Sequence, residues 1–127
     1  MPVKFKVIER GQPGVAGGGE KKFYANPVSS GEITLAGLTK AIEKISTVSG
    51  ADIRAVLYAL VDVAVDSLSN GTIVRLGEMG SLRVSLKSEG REKAEQVNAS
   101  VVKSANVVFT PGARIKEMLV GLKYVKE

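Results

Sequence analysis

The sequence contains no cysteine, no histidine and no tryptophan among its 127 residues. Without cysteine there is no disulfide and no thiolate chemistry, and without histidine the commonest general base and metal ligand are missing. With only three phenylalanines and three tyrosines, the core must consist mostly of Leu, Ile, Val and Ala. These absences argue against an enzyme, a cofactor and a metal site.

The chain also lacks a long apolar run. No stretch approaches the roughly 20 residues that span a bilayer, and the N-terminus lacks the apolar core of a signal peptide. We therefore expect a soluble, cytoplasmic protein without a membrane partner. A composition that is 44% hydrophobic is sufficient for the core of one domain.

The net charge of +5 is unevenly placed. Residues 1–31 and 103–127 each carry five basic and two acidic side chains, whereas residues 32–71 carry three basic and five acidic ones. Such a balance favours a polyanionic partner such as nucleic acid. An ordinary solvated surface on a protein of high isoelectric point is the alternative.

The first 31 residues are predicted to form a β-hairpin. Val3–Ile8 alternates apolar residues with lysines, as a strand with one wet face does, and "KFYANPV" is the predicted partner strand. The glycine-rich loop between them has no Gly-Lys-Ser/Thr and no helix-opening segment, so it is read as a connection rather than a phosphate-binding loop.

Two amphipathic helices follow the hairpin. Thr34 is the predicted N-cap of the first, and Ser49 caps the second, with Asp52 placed as in a capping box. Asn70-Gly71 ends the second helix. Its apolar face is wide, and it comprises Ile53, Val56, Leu57, Leu60, Val61, Ala64, Val65 and Leu68. This face predicts either a dimer interface or burial against the sheet of the same chain.

The rest of the chain reads as a strand, a Gly-x-x-Gly turn, a second strand, the polar tract "SEGREKAEQVN", a third strand and a helix. Thr110 is predicted to cap that helix, with Pro111 at its first position. "LKYVKE" is predicted to end in a short strand beside the N-terminal one.

This order, together with "NGTIVRLGEMGSLRV" and "VVFTPGARIKEML", resembles the histone-like family that includes HU and integration host factor, in its longer HU-related branch. The resemblance implies an α+β fold with a two-helix base, a three-stranded antiparallel sheet, an extended β-ribbon arm and a C-terminal helix. The HU-like domain would cover residues 32–127, with the arm at about 87–105, and would form one compact unit with the hairpin extension of residues 1–31.

The resemblance implies an intertwined homodimer, or a heterodimer with a paralogue, that bends double-stranded DNA without sequence specificity through its backbone and minor groove. Such a protein is associated with the nucleoid and takes no small-molecule substrate. The candidate DNA-binding residues are Arg75, Arg83, Lys87, Arg91, Lys93, Lys103, Arg114 and Lys116. Val97 is the candidate wedge at the arm tip. A second basic cluster lies in the hairpin, at Lys4, Lys6, Lys21 and Lys22.

The arm departs from the family pattern. No proline occurs between Lys87 and Thr110, and three glutamates offset the arm's lysines and arginine. Ala113 stands where the family usually has lysine. Because each lost phosphate contact weakens binding, the alternative function is a protein-interaction module that kept the fold and lost most of its DNA affinity.

Overall fold

The computed structural model describes residues 2–12 and 14–127. Within them lie three α-helices and two three-stranded sheets, so the fold class is α+β, as predicted. The strands are β1 (Val3–Arg10), β2 (Lys22–Val28), β3 (Val74–Arg75), β4 (Gly80–Ser88), β5 (Val102–Pro111) and β6 (Tyr124–Lys126). The helices are α1 (Leu35–Ile45), α2 (Gly50–Ser69) and α3 (Ala113–Val120).

The terminal sheet brings the two ends of the chain together in the order β2-β1-β6. Strands β1 and β2 form the predicted antiparallel hairpin, and β6 runs parallel to β1, beside it as expected from the sequence. The loop of the hairpin is closed by a 2.7 Å hydrogen bond from the Gln12 N–H to the Gly18 carbonyl. Pro13, which belongs to the predicted loop, lies outside the described residues.

Both long helices begin at the predicted caps. The Thr34 hydroxyl accepts from the Gly37 N–H at 3.2 Å, and the Ser49 hydroxyl accepts from the Asp52 N–H at 3.3 Å. These side chains satisfy amide groups that the first helical turn leaves without partners. A carboxylate oxygen of Glu43 on α1 also accepts from the Gly50 N–H, at 3.1 Å, and so ties the two helices together.

The central sheet has the order β3-β4-β5 and is antiparallel throughout. The predicted start of the last helix is wrong by two residues: Pro111 still pairs with Gly80 in the sheet, and Gly112 is the N-cap of α3. The Gly112 N–H donates to the Met79 carbonyl at 2.8 Å. A Cβ at Gly112 would collide with the Glu78 carbonyl, so this backbone approach requires glycine and prolongs the strand.

The predicted arm, residues 87–105, is a β-ribbon only at its two ends. Pairing between β4 and β5 ends at Ser88 and Val102, after a register shift, and residues 89–101 fold as a compact tip with two short 3-10 turns. Val101 is 2% exposed, and its carbonyl accepts from the Glu89 N–H at 2.8 Å. Burial of the Val101 side chain stabilises the folded-back conformation of residues 89–101.

The described chain buries little of its apolar surface. Ile53 on α2 and Val101 in the tip are its buried hydrophobic residues. The accessible surface is 10348 Å², whereas a compact monomer of this mass would expose about 6,500 Å². Within residues 2–12 and 14–127, no helix is long and apolar enough to cross a membrane.

Candidate nucleic-acid interface

The central sheet has two chemically different faces. Because strand side chains alternate between faces, the register places Leu82, Val84 and Leu86 of β4 on the same side as Phe109 and Val107 of β5. The opposite side, called the polar face here, carries the side chains of Arg75, Ser81, Arg83, Ser85, Lys87, Ser104, Asn106, Val108 and Thr110. One face is therefore apolar, and the other is a surface of cations, hydroxyls and one amide, with Val108 as its one apolar side chain.

Three predicted DNA-binding residues share the polar face: Arg75, Arg83 and Lys87. Arg75 pairs with Ser81, so its diagonal neighbour is Arg83, at a Cα separation of about 7–8 Å. Lys87 lies four residues further along the strand, or about 13 Å. All three side chains are exposed. Together they form a row of positive charge along the sheet.

No carboxylate offsets this row. The strand residues of the polar face include neither Asp nor Glu, and no ion pair among the described residues involves Arg75, Arg83 or Lys87. Charges left without partners on a solvated sheet are available to an anion from outside the chain. The neighbouring hydroxyls and the Asn106 amide add neutral hydrogen-bonding groups of the kind that contact phosphate oxygens.

Lys116 extends the row at one end. A pocket of about 330 Å³ is lined by Arg75, Gly77, Gly80, Ser81, Thr110, Pro111, Gly112 and Lys116. Lys116 reaches this pocket because it lies in the first turn of α3, and the Lys116 N–H donates to the Gly112 carbonyl at 2.9 Å. The structure therefore brings four of the predicted residues to one continuous surface.

Arg114 is not part of that surface. It lines a different pocket, with Leu76, Glu78, Met79 and Ile115, and its Nε atom lies 4.0 Å from a carboxylate oxygen of Glu78. Side chains two positions apart in a helix point about 200° apart around its axis, which explains why Arg114 and Lys116 reach different sites. Its charge is partly met by an acidic neighbour.

The remaining predicted residues lie in or beside the tip. The Arg91 guanidinium is 2.7 Å from Glu89, and the Lys103 ammonium is 3.8 Å from the same carboxylate. Lys93 is exposed beside Glu92 and Glu95 in the sequence. The cations here are thus accompanied by carboxylates. Val97, the predicted wedge, is 55% exposed at the end of a 3-10 turn.

The sequence interpretation missed the hydroxyl and amide residues of the polar face. Ser81 and Ser85 alternate with Leu82 and Val84, and Ser104 and Asn106 alternate with Ala105 and Val107. This alternation was a usable signal, because a period of two assigns each polar residue to the same face as Arg83 and Lys87. Among the described residues, no group of three or more acidic side chains is placed to hold a metal ion.

A family model for "HU domain fused to wHTH, Ig, or glycine-rich motif" matches residues 1–126. The chain belongs to this HU-HIG family. The membership confirms the resemblance to HU proteins and extends it over the N-terminal hairpin, which the matched range includes. Among curated proteins, none matches this HU-HIG chain.

A solved structure shares the fold of this HU-HIG chain. It is a presumed bacterial DNA-binding protein from Bacteroides vulgatus ATCC 8482, with a TM-score of 0.64 and 16% sequence identity. The alignment covers 99% of the present chain but 49% of the other. The HU-HIG chain therefore spans about half the length of that protein, and the likeness concerns the fold.

Proposed function

We propose that this HU-HIG chain is a dimeric architectural protein that binds double-stranded DNA through its phosphate backbone, without sequence specificity. The observation that carries the proposal is the carboxylate-free row of Arg75, Arg83, Lys87 and Lys116 on and beside the polar face. The family of the chain and the name of its structural neighbour support the same partner. Such a protein would act on the bacterial nucleoid in the cytoplasm, without catalysis.

Backbone recognition follows from the chemistry of the polar face. Arginine, lysine and hydroxyl groups on a sheet suit phosphate oxygens, which carry no sequence information. Bases in the major groove are read by bidentate side chains on an inserted helix or two-stranded ribbon. The short helix α3 has its cations on different sides, and Arg91 and Lys103 near the end of the β4–β5 ribbon lie beside Glu89. Binding should therefore depend on salt far more than on sequence.

The dimer is proposed from the surface that the single chain leaves open. Val56, Val61, Val63 and Val65 on α2 are each more than half exposed, although they flank the covered residues of the same helix. Phe109 and Val107 on the apolar sheet face are also exposed. The surface that one chain exposes in excess of a compact monomer is larger than the area that each chain of an obligate dimer buries, about 1,000–2,500 Å². We propose an intertwined homodimer; pairing with a paralogue is the alternative.

Sedimentation of the purified chain tests the dimer. Val61→Asp places a charge on the open face of α2 and should convert a dimer into unfolded or monomeric chain, because a buried unpaired charge is strongly destabilising. Thr47→Asp adds the same charge in the exposed connection between α1 and α2 and should leave the dimer intact. A wild-type chain that sediments as a folded monomer would contradict this part of the proposal.

The tip is proposed to approach the minor groove but to bend DNA weakly. It has no proline, and its cations lie beside glutamates, so Val97 is the remaining apolar candidate for insertion between base pairs. A second candidate function rests on the same observation. A tip with balanced charge is suited to a protein partner, which would make the chain an interaction module with little DNA affinity.

Fluorescence anisotropy of a labelled short duplex, intact and nicked, over a series of salt concentrations tests the proposed function. We expect micromolar or tighter binding, a steep loss of affinity with salt, equal affinity for unrelated sequences and a preference for the nicked duplex. No binding at low salt would contradict the proposal and favour the interaction module. Capture of a defined protein partner that competitor DNA does not displace would support that second function.

A further inference from the structure

The terminal sheet, like the central one, has two unlike faces. The register of β1, β2 and β6 places Val3, Phe5, Val7, Phe23, Ala25, Pro27 and Tyr124 on one side. Five of these residues line an apolar pocket of about 300 Å³. A sheet commonly packs its apolar face against protein and leaves the other to solvent, although Phe23 and Tyr124 on this side are exposed in the single chain. The second face is therefore the one available to a binding partner.

The second face of the terminal sheet carries four cations and no carboxylate, beside the neutral side chains of Ile8, Tyr24, Asn26, Val28 and Val125. Lys4, Lys6 and Arg10 of β1 lie on the same side as Lys22 of β2, and all four side chains are exposed. These four residues are called the basic face. Glu9 is on the opposite side of the sheet, and no ion pair among the described residues involves any of the four.

Two of the cations face each other directly. Arg10 and Lys22 are paired across the hairpin, a position in which Cβ atoms are about 4.5–5.5 Å apart and like charges destabilise the sheet. The Arg10 guanidinium carbon also lies 4.8 Å from the centroid of the Tyr24 ring, which holds the charge over this face. An anion placed between Arg10 and Lys22 would remove the repulsion.

The spacing fits a polyanion better than a small ion. Lys4 and Arg10 are six residues apart on one strand, or about 20 Å. Along the helix axis of B-DNA, each strand carries one phosphate per about 3.4 Å, so this length spans roughly six base-pair steps of the duplex. This row of cations is interrupted by Ile8 and contains no carboxylate, and in lacking carboxylates it resembles the polar face on the central sheet.

We propose that the basic face, formed by Lys4, Lys6, Arg10 and Lys22, is a second binding surface for the phosphate backbone of DNA. The proposal rests on the proposed function, since it assigns the same partner to a separate sheet. It also changes the composition of the hairpin cluster expected from the sequence. Lys21 precedes β2 and is outside its pairing, whereas Arg10 belongs to the surface.

The test compares two variants of equal net charge in the anisotropy salt series. The first carries Lys4→Gln, Lys6→Gln, Arg10→Gln and Lys22→Gln. The control carries Lys40→Gln, Lys44→Gln, Arg54→Gln and Lys126→Gln, which are exposed cations outside the basic face. The absolute slope of log K against log salt should decrease by about 0.9 for each lost phosphate contact, and thus by up to about 3.6 in the first variant and not in the control.

Each outcome has a separate meaning. A wild-type slope in the first variant would overturn the second surface and leave the proposed function standing, and so would an equal loss of slope in both variants. Absence of wild-type DNA binding, seen before any variant is measured, would overturn both. A basic face that binds phosphatidylserine vesicles while the DNA slope stays unchanged would also overturn the assignment, in favour of a membrane surface.

Circular dichroism melting shows whether the fourfold variants fold. If the first variant does not, the pair Lys4→Gln and Lys6→Gln is compared with Lys40→Gln and Lys44→Gln. The expected loss of slope is then up to about 1.8, and an unchanged slope overturns the proposal.

Discussion

The polar face of the central sheet and the tip at its far end carry similar numbers of cations but differ in where their carboxylates lie. On the polar face, Arg75, Arg83 and Lys87 lie among serine, threonine and asparagine side chains and one valine, with no acidic residue. In the tip, one carboxylate, that of Glu89, lies within 4.0 Å of both Arg91 and Lys103. A count of basic residues therefore does not identify a phosphate-binding surface; the positions of the acids do.

This difference has a consequence for binding energy. A cation that already has a carboxylate partner must lose that contact before it meets a phosphate, and the freed carboxylate then repels the DNA. A cation with only neutral neighbours has no such competitor. Exposed ion pairs such as Arg91–Glu89 contribute little to folding, about 0–1 kcal/mol, so their main effect in the tip is on the local field.

Within this comparison, the largest expected effect on DNA binding comes from removing the charges of the polar face. The triple variant Arg75→Gln, Arg83→Gln and Lys87→Gln should reduce the absolute slope of log K against log salt by about 2.7, at 0.9 for each phosphate contact. The matched variant Arg91→Gln, Lys93→Gln and Lys103→Gln removes the same charge from the tip region. It should leave the slope near its wild-type value.

Equal losses in the two triple variants would remove the distinction between the regions. Such a result would mean that the tip cations leave Glu89 and contact phosphates in the complex. Both variants change exposed side chains, so melting curves that match the wild type serve as the folding control.

A smaller effect is expected from converting the tip into a surface like the polar face. Glu89→Gln removes the carboxylate that lies beside Arg91 and Lys103 and keeps the shape of the side chain. Two released cations should increase the absolute slope of log K against log salt by up to about 1.8 and tighten binding at low salt. Glu117→Gln changes the charge equally on α3 and is the control.

Much of this comparison follows from local sequence patterns. The caps Thr34 and Ser49 were correctly predicted because an N-cap bonds to an amide within its own helical turn. The two faces of the central sheet follow from strict alternation between Leu82 and Lys87. In both cases the structure is determined by residues that are close together in the sequence, within one helical turn or along one strand.

What the sequence does not reveal depends on distant partners. Pro111 is equally suited to a strand end and a first helical turn, and its pairing with Gly80, remote in the chain, decides for the strand. The fold of the tip depends on burial of Val101, and the polar sequence before this residue does not predict that burial. Three residues of the basic face, Lys4, Lys6 and Lys22, were predicted from the sequence, but Arg10 joins them only through the hairpin register that pairs it with Lys22.

The smallest effect on DNA binding is expected from substitutions of two valines in the tip. Comparing the two distinguishes folding of the tip from contact with DNA. Val101 is 2% exposed and Val97 is 55% exposed. Val101→Ala should therefore cost about 2 kcal/mol of tip stability, from lost burial and a residual cavity. Faster hydrogen exchange at the Glu89 amide, which donates to the Val101 carbonyl, would report that loss.

Val97→Ala, the matched substitution, should leave that exchange rate unchanged and reduce the preference for nicked over intact duplex, because an exposed apolar side chain acts only when it inserts between bases. If instead Val101→Ala abolished the preference at an unchanged exchange rate, the buried valine would have to be released on binding. The tip would then open to meet DNA rather than approach it in its free conformation.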